Sequence, residues 1–364
     1  MRFECSKCGR STETATRLPK CECGGLWKLN FTPPVFDLKD VDQKEWSLFR
    51  YGKWLALTGE AWREVSMGEG MTPVIRLDED VLLKMDYYMP TLSFKDRGAA
   101  VLIANCKAAG VDKVVQDSSG NAGNSVAAYC ARAGIGCEIF VPEGTSPKKI
   151  DMIRAHGAVC TVVPGSRDHC ADVCREKVER EGVYYANHVC NPLFYEGTKT
   201  YIYEVYEQLG RIPGHLVIPV GNGTLFLGVL YGLEHLLASG CIDRMPQIIA
   251  LQSENCDPLL KAAEKEKELP AEVTPAPTIA EGIAIGKPLR GEEILSLGKK
   301  HGVRFVHAPE DKVLAARENL AAKGIYCEHT TAANYAAYLH YVTLYGKTPD
   351  TLITMCGAGL KSDH

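Results

Sequence analysis

Short apolar runs alternate with longer stretches in which apolar residues recur every three or four positions, and the alternation continues from residue 81 to the end of the chain. Val81-Leu82-Leu83-Lys84-Met85 reads as a strand. Further strands are predicted near 113–116, 137–141, 158–163, 183–186, 215–220, 247–252, 303–307 and 351–356, with helices at 122–134, 168–181, 225–239 and 331–345. Such alternation implies an α/β fold with largely parallel sheets and right-handed crossovers, in which ligands gather at the C-terminal ends of the strands. Upstream, residues 31–64 form a connector whose aromatic residues (Trp46, Phe49, Tyr51, Trp54 and Trp62) suit packing a linker onto a domain. Between Lys261 and Pro277 a Lys-Glu-Lys-Glu run followed by prolines reads as a solvated helix end and loop.

At 364 residues and 46% hydrophobic content, the chain can bury cores for two domains or a little more. Its formal net charge of −4 gives no general electrostatic reason to bind nucleic acid or an anionic membrane. No apolar run approaches a membrane span and the first residues lack the apolar centre of a signal peptide, so the cytoplasm is the expected compartment. Of fifteen cysteines, the eleven beyond residue 23 are scattered and read as small buried hydrophobes in a reducing compartment.

The other four, Cys5-x2-Cys8 and Cys21-x-Cys23, lie on two tight turns, each pair followed by glycine. Four thiolates at this spacing suit a tetrahedral structural zinc, with each sulfur about 2.3 Å from the ion, holding together a segment too small for a core of its own. The second knuckle is one residue short of the commoner x2 spacing, so reduced cysteines without metal are the other reading. Four protein thiolates leave no open position for a catalytic metal.

The segment Pro90-Thr91-Leu92-Ser93-Phe94-Lys95-Asp96-Arg97-Gly98 places one lysine between a loop and an Ala-rich helical run. Partial desolvation beside Phe94 lowers the pKa of Lys95 and frees a neutral amine for Schiff-base chemistry. Taken alone, the lysine is as well explained by a surface salt bridge with Asp96. Two loops shift the balance. Ser118-Ser119-Gly120-Asn121-Ala122-Gly123 feeds a helix, with Asn121 suited to cap it. Gly221-Asn222-Gly223-Thr224-Leu225 joins a strand to a helix, where glycine N–H groups, the helix N-terminus and the Thr224 hydroxyl suit a phosphate. Lysine, asparagine loop and glycine loop in that order suit pyridoxal 5'-phosphate, which needs an imine partner, a ring contact and a phosphate cradle.

With these motifs the chain resembles the threonine synthases, within the fold-type II pyridoxal-phosphate enzymes that also include serine/threonine dehydratases, cysteine synthases and the tryptophan synthase β chain. Gly68-Glu69-Gly70-Met71-Thr72-Pro73, Asn191-Pro192 with Glu196-Gly197, and Gly357-Ala358-Gly359-Leu360-Lys361 carry the resemblance along almost the whole chain. It implies two open parallel-sheet α/β domains: a large cofactor-binding one from 31–107 and 213–364, and a small one from 108–212. An N-terminal zinc ribbon at 1–30, which some threonine synthases share, precedes them. The partners expected are a small amino-acid substrate and a second copy of the chain, with no nucleic acid or membrane.

By resemblance, Lys95 is the catalytic lysine and also binds the cofactor, the Asn121 amide meets the cofactor's ring hydroxyl oxygen, and Phe94 and residues 221–225 complete the cofactor site. Ser118, Ser119, Gly120 and Thr198 are placed at the substrate. Cys356 takes a position where threonine synthases carry a threonine, and other branches a serine, facing the pyridine nitrogen. A thiol donates more weakly, and an uncharged partner disfavours a protonated pyridine; a buried structural cysteine is the alternative. Glu281 stands where related branches place an acid beside the ring, and a capping or salt-bridge role fits as well. Threonine synthases commonly show Asn-Pro-x-Arg before Glu-Gly-Gln-Lys-Thr, the arginine meeting the substrate phosphate. Here Phe194 holds that place, Val189 stands for a serine and Thr198 for the glutamine. The change removes a bidentate, charge-assisted hydrogen-bond pair, and Lys148, Lys149 or Arg154 are candidates to replace its charge. The histidines form no metal spacing; His188, His307 and His329 are candidates to line the cleft, with satisfied structural side chains as the commoner reading.

The expected activity is that of a pyridoxal-phosphate lyase working by β/γ-elimination, converting O-phosphohomoserine to threonine and phosphate if it is a threonine synthase. The alternatives are a serine/threonine dehydratase or diaminopropionate ammonia-lyase, a β-replacement enzyme using an O-activated serine, and an inactive cofactor- and zinc-binding interaction protein. An intact Lys95 argues against the last.

Overall fold

A computed structural model describes residues 1–361 of the chain. Its largest sheet orders Arg304–Ala308, Gln247–Ser253, His215–Pro219, Thr351–Thr354 and Val81–Lys84 in parallel, with Val74–Arg76 antiparallel at the edge. A second sheet holds four parallel strands in the order Val159–Val163, Gly136–Pro142, Lys113–Gln116 and Tyr184–Tyr185. A small antiparallel sheet is made of Ser11–Thr12, Arg2–Cys5 and Trp27–Asn30.

Alternate residues of the large sheet feed opposite cores, as the pleat requires. Leu216, Ile218, Ile248, Ala250 and Leu352 pack on one face with the helix Thr224–Ala238. Val217, Ile249, Leu251 and Ile353 pack on the other with the helix His329–Tyr345. Coverage on both faces explains why these strands read as continuous apolar runs.

The predicted strands and helices are present, with ends moved by one or two residues. Thr351–Thr354 stops short of the predicted 351–356, leaving Met355 and Cys356 beyond the strand end. Further helices are Pro147–Ala155, Pro192–Leu209, Gly291–Lys300 and Val313–Ala321. Along Pro192–Leu209 every residue from Pro192 to Val205 is buried, so the helix has no polar face for a periodicity to reveal.

The chain leaves the large sheet through the helix Lys95–Ala108, builds the small sheet and returns through Pro192–Leu209. Lys95–Ala108 packs on both Asn121–Ala133 and Pro192–Leu209. Glycines permit the second approach: a side chain at Gly98 would run into the Phe194 ring, and one at Gly197 into the Arg97 carbonyl.

Beneath this crossing lies a fully buried charge network. The Arg97 guanidinium donates to Asp86 at 3.0 Å through Nε and to Glu204 at 2.9 Å through Nη1. Lys84 Nζ donates to Glu204 at 2.5 Å and to Gln208 at 2.9 Å. The Thr72 N–H donates to the same glutamate, tying the glycine-rich turn to the helix Pro192–Leu209.

The small antiparallel sheet is fastened by Arg290. Its guanidinium donates at 3.0 Å to the Trp27 and Cys190 carbonyls and at 2.8 Å to that of Val189.

Candidate active site

Four loops converge at the C-terminal ends of the strands: the segment before Lys95, residues 118–121, residues 221–224 and the stretch around Cys356. They enclose a cavity of about 360 Å³, a size that suits a small cofactor with an amino acid. Lys95 opens its helix. Asp96 holds that first turn by accepting hydrogen bonds from the Thr91 N–H and hydroxyl and from the Ser125 hydroxyl, a carboxylate in the place a helix dipole favours. Lys95 Nζ donates to Thr224 Oγ1 at 2.8 Å and stands 4.3 Å from the Phe94 ring centroid. Burial brings its amine down to about 8, with Arg167 pushing the same way and Cys356 and Glu328 opposing. Roughly a tenth of the amine is therefore neutral at pH 7, against less than a thousandth for an ordinary lysine.

Thr224 begins the helix Thr224–Ala238, and no side chain caps it, so the N–H groups of its first turn face the cavity's glycine loop. Gly223 has φ +80°, and a side chain there would meet Ile294 at 2.5 Å; one at Gly221 would come within 3.2 Å of the Ile283 Cα. Only glycines leave this cradle open. On the opposite wall the helix Asn121–Ala133 starts with its N-terminus equally uncapped by a side chain. Asn124, buried in the same wall, has a side-chain oxygen without a hydrogen-bond partner among the described residues. An amine near neutrality, an open glycine cradle at a helix N-terminus and an unsatisfied acceptor are what pyridoxal phosphate and a bound amino acid require, so the residues present fit that cofactor.

Cys356 is buried, its Sγ 3.1 Å from the Thr331 hydroxyl. Burial, reinforced by Glu328, pushes its thiol far up, so it is uncharged. No motif points to Glu328. It accepts a hydrogen bond from Asn121 Nδ2 at 3.1 Å, and its other oxygen is 3.9 Å from the Cys356 sulfur. Burial raises this carboxyl, while Asn121, Lys361, Lys95 and Lys149 hold it back.

Phe94, Lys95, Ser118, Ser119, Gly120, Asn121, residues 221–225, Glu281 and Cys356 all line the cavity. Glu281 stands on the rim, largely exposed, in an ion pair of 2.7 Å with Lys149 from the opposite wall. Thr198 departs from its expected place at the substrate. It is fully buried outside the cavity, and its hydroxyl donates at 2.8 Å to the Thr224 carbonyl, bracing the start of the glycine-loop helix. Phe194 is likewise fully buried, under Gly98 and beside His188. His188 lines the cavity with Nδ1 3.1 Å from Gln116 Nε2, and burial, then Lys95 and Arg167, keeps its ring neutral. His329 also lines the cavity, whereas His307 stacks on His340 with ring centroids 5.1 Å apart. Arg154 is not among the lining residues. Arg167 and Met152 are, and the motifs do not point to them; Lys361, the last residue of the Gly357–Lys361 motif, lines it too.

Away from the cavity, the ligand sulfurs of Cys5, Cys8, Cys21 and Cys23 lie within 4.8 Å of one another. Pair distances of 3.4, 3.5 and 3.7 Å compare with about 3.8 Å along the edge of a tetrahedron of zinc–sulfur bonds. Although burial opposes it, hydrogen bonds from the Cys8 and Lys7 backbones and from the Cys23 and Cys8 thiols take the Cys5 thiol down to about 6. Gly25 must be glycine, since a side chain there would strike the Cys5 sulfur.

The family model described as pyridoxal-phosphate dependent enzyme matches residues 65–357. The threonine synthase of Mycobacterium leprae is 32% identical over 314 residues, 83% of this chain and 85% of that protein. The threonine synthase of Methanocaldococcus jannaschii is 29% identical over 352 residues, covering 91% of this chain and 85% of that protein. Among solved structures, a threonine deaminase isoform 2 from Solanum lycopersicum superposes with a TM-score of 0.71 at 22% identity, covering 94% of this chain and 90% of that one. Maize serine racemase gives 0.69 at 17% identity, covering 82% and 91%. These last two are likenesses of fold.

Proposed function

The chain belongs to the pyridoxal-phosphate dependent enzymes, in the threonine synthase family, and from that premise we propose that the cavity around Lys95 carries out elimination on a small amino acid, with O-phosphohomoserine converted to threonine and phosphate. The observation that carries this reading is the 2.8 Å hydrogen bond from Lys95 Nζ to Thr224, which puts a partly neutral amine at the mouth of an anion cradle.

Bound pyridoxal phosphate would supply the electron sink that makes a substrate Cα–H acidic. The chain's own groups do the rest. N–H groups opening the helix Thr224–Ala238, with the Thr224 hydroxyl, hold the cofactor phosphate. The loop Ser118-Ser119-Gly120 and the N-terminus of Asn121–Ala133 hold the substrate carboxylate. The Lys95 amine takes protons from Cα and Cβ and returns them at Cγ and Cα, while Phe94 and buried His188 keep water from it. Cys356, as a neutral thiol, sets no counter-charge against the ring nitrogen. Phosphate leaves Cγ with its bonding pair, the proton taken from Cβ is delivered to Cγ, and water gives its hydroxyl to Cβ and its proton to the released phosphate, so O-phosphohomoserine and water balance threonine and phosphate.

A second reading draws on Phe194. With no guanidinium at that position, a deaminating lyase that releases a 2-oxo acid and ammonia is the competitor. Purified holoenzyme assayed with O-phosphohomoserine, serine, threonine, diaminopropionate and O-phosphoserine separates them. Threonine and phosphate from the first are expected; 2-oxo acid and ammonia from the others, with no threonine, would replace the reading.

We also propose that Cys5, Cys8, Cys21 and Cys23 hold one structural zinc. Metal analysis is expected to find about one zinc per chain, and chelation to melt the ribbon and lower the melting temperature; a metal-free protein of unchanged stability would refute the site. A homodimer in the cytoplasm completes the proposal, supported by exposed Leu92, Tyr326 and Leu360 on adjoining segments, and sedimentation velocity is its check. Among the described residues no helix is long and apolar enough to cross a membrane.

A further inference from the structure

Six basic side chains line the cavity, and five are engaged. Lys95 donates to Thr224, Lys149 pairs with Glu281, Lys361 donates to the Thr91 carbonyl, His188 bonds Gln116 and His329 bonds Arg317. Arg167 alone of the six makes no hydrogen bond or ion pair among the described residues. It opens the helix Arg167–Glu181 with Ser166 as cap, on the wall that also carries Lys149 and Met152. Its charge reaches inward far enough to act on both Lys95 and His188. The two acids of the cavity are committed as well, Glu281 to Lys149 and Glu328 to Asn121. Arg167 is exposed where it meets this partly enclosed cavity, and a guanidinium there with no anion opposite it can receive a ligand oxygen pair.

We propose that Arg167 is a specificity-determining residue of this cavity, its guanidinium taking the anionic group at the far end of the substrate side chain. This rests on the elimination reading and deepens it: the substrate is an amino acid with a second anion, and the charge absent at Phe194 is supplied from the small sheet's side. Lys148, Lys149 and Arg154 do not fill that role. Lys148 donates to the Leu360 carbonyl, Lys149 is paired, and Arg154 is outside the cavity. Removing a charge-assisted, bidentate pair of hydrogen bonds corresponds to about 10- to 100-fold in affinity.

The test titrates full-length holoenzyme with 2-amino-5-phosphonopentanoate and, as neutral counterpart, norleucine, following the visible absorption of the bound cofactor. Wild type is expected to favour the phosphonate at least tenfold. In Arg167→Gln that preference falls to near unity while the norleucine Kd moves little, and Arg167→Lys keeps part of it as a point charge without the fork. With O-phosphohomoserine the loss appears as a raised KM with kcat largely kept. An unaltered cofactor spectrum in both variants confirms that the site is intact. Absence of an anion preference in wild type, or its survival in Arg167→Gln, overturns the proposal. Product analysis run alongside keeps the two claims apart. An Arg167-dependent preference without threonine formation sinks the elimination of phosphate and leaves Arg167 standing, whereas threonine formation with an unmoved preference does the reverse.

Discussion

Lys95→Ala is expected to abolish turnover, by at least about 10²- to 10⁴-fold, and to remove the visible absorption of lysine-bound pyridoxal phosphate. Among the described residues the amine combines partial neutrality with contact to the anion cradle, through Thr224. Truncation leaves the cradle glycines, Asn121 and Cys356 where they are, so free cofactor still enters but is held only through its phosphate. Stability should change little, because burying the ammonium opposes folding: its pKa is lowered, and the cost is felt in full below about 8. Lys95→Arg separates charge from chemistry. A guanidinium stays protonated and forms no imine, so it should be as inactive as alanine. Activity and an absorption spectrum measured on the two variants decide the matter, and turnover persisting in either would remove Lys95 from the chemistry.

Arg97→Met is expected to cost about 3–5 kcal/mol, the usual penalty for leaving a buried charge unpaired, and to lower the melting temperature by roughly 10 °C or more. Asp86 and Glu204 share Arg97 and Lys84 in a site with no exposure, and removing the guanidinium leaves two carboxylates against one ammonium. Burial by itself would raise Glu204; Arg97 and Lys84 reverse this and hold it at about 2. Its folded-state pKa is thus depressed, and its contribution to stability is present above the ordinary glutamate pKa and lost as pH falls toward 2. Because Arg97 lies two residues after Lys95, weaker retention of the cofactor should accompany the destabilisation. Thermal melts with and without pyridoxal phosphate measure both; an unchanged melting temperature would mean that the network is not what sets the lysine helix.

Lysine, asparagine loop and glycine loop are legible in the sequence because each is local, a strand end followed at once by turn residues and a helix. The strands of the large sheet are legible because burial on both faces makes them continuous apolar runs. Glu328 is not, since nothing around it marks an acid as buried; only the folding of the His329–Tyr345 helix against the strand end at Thr354 brings it to Asn121. Arg167 sits in a polar helix start that reads as solvated surface. Thr198 misleads because motif position does not give side-chain direction: on a helix buried all round, it points to the Thr224 carbonyl and away from the cavity. Phe194 shows the same effect in reverse. The glycine at position 98 admits its ring into the helix crossing, so the position is a packing site in this chain. The cysteine spacing is sufficient to forecast the sulfur cluster, although the ribbon's attachment through Arg290, distant in sequence from Trp27, has no local signal.

Borohydride reduction of the holoenzyme followed by peptide mapping tests the central claim most directly, since it fixes the cofactor covalently to whichever lysine holds it. A pyridoxyl phosphate adduct on the peptide containing Lys95, and on no other, is the predicted result. An adduct on Lys149 or Lys361 instead, or none at all in protein saturated with cofactor, would contradict it.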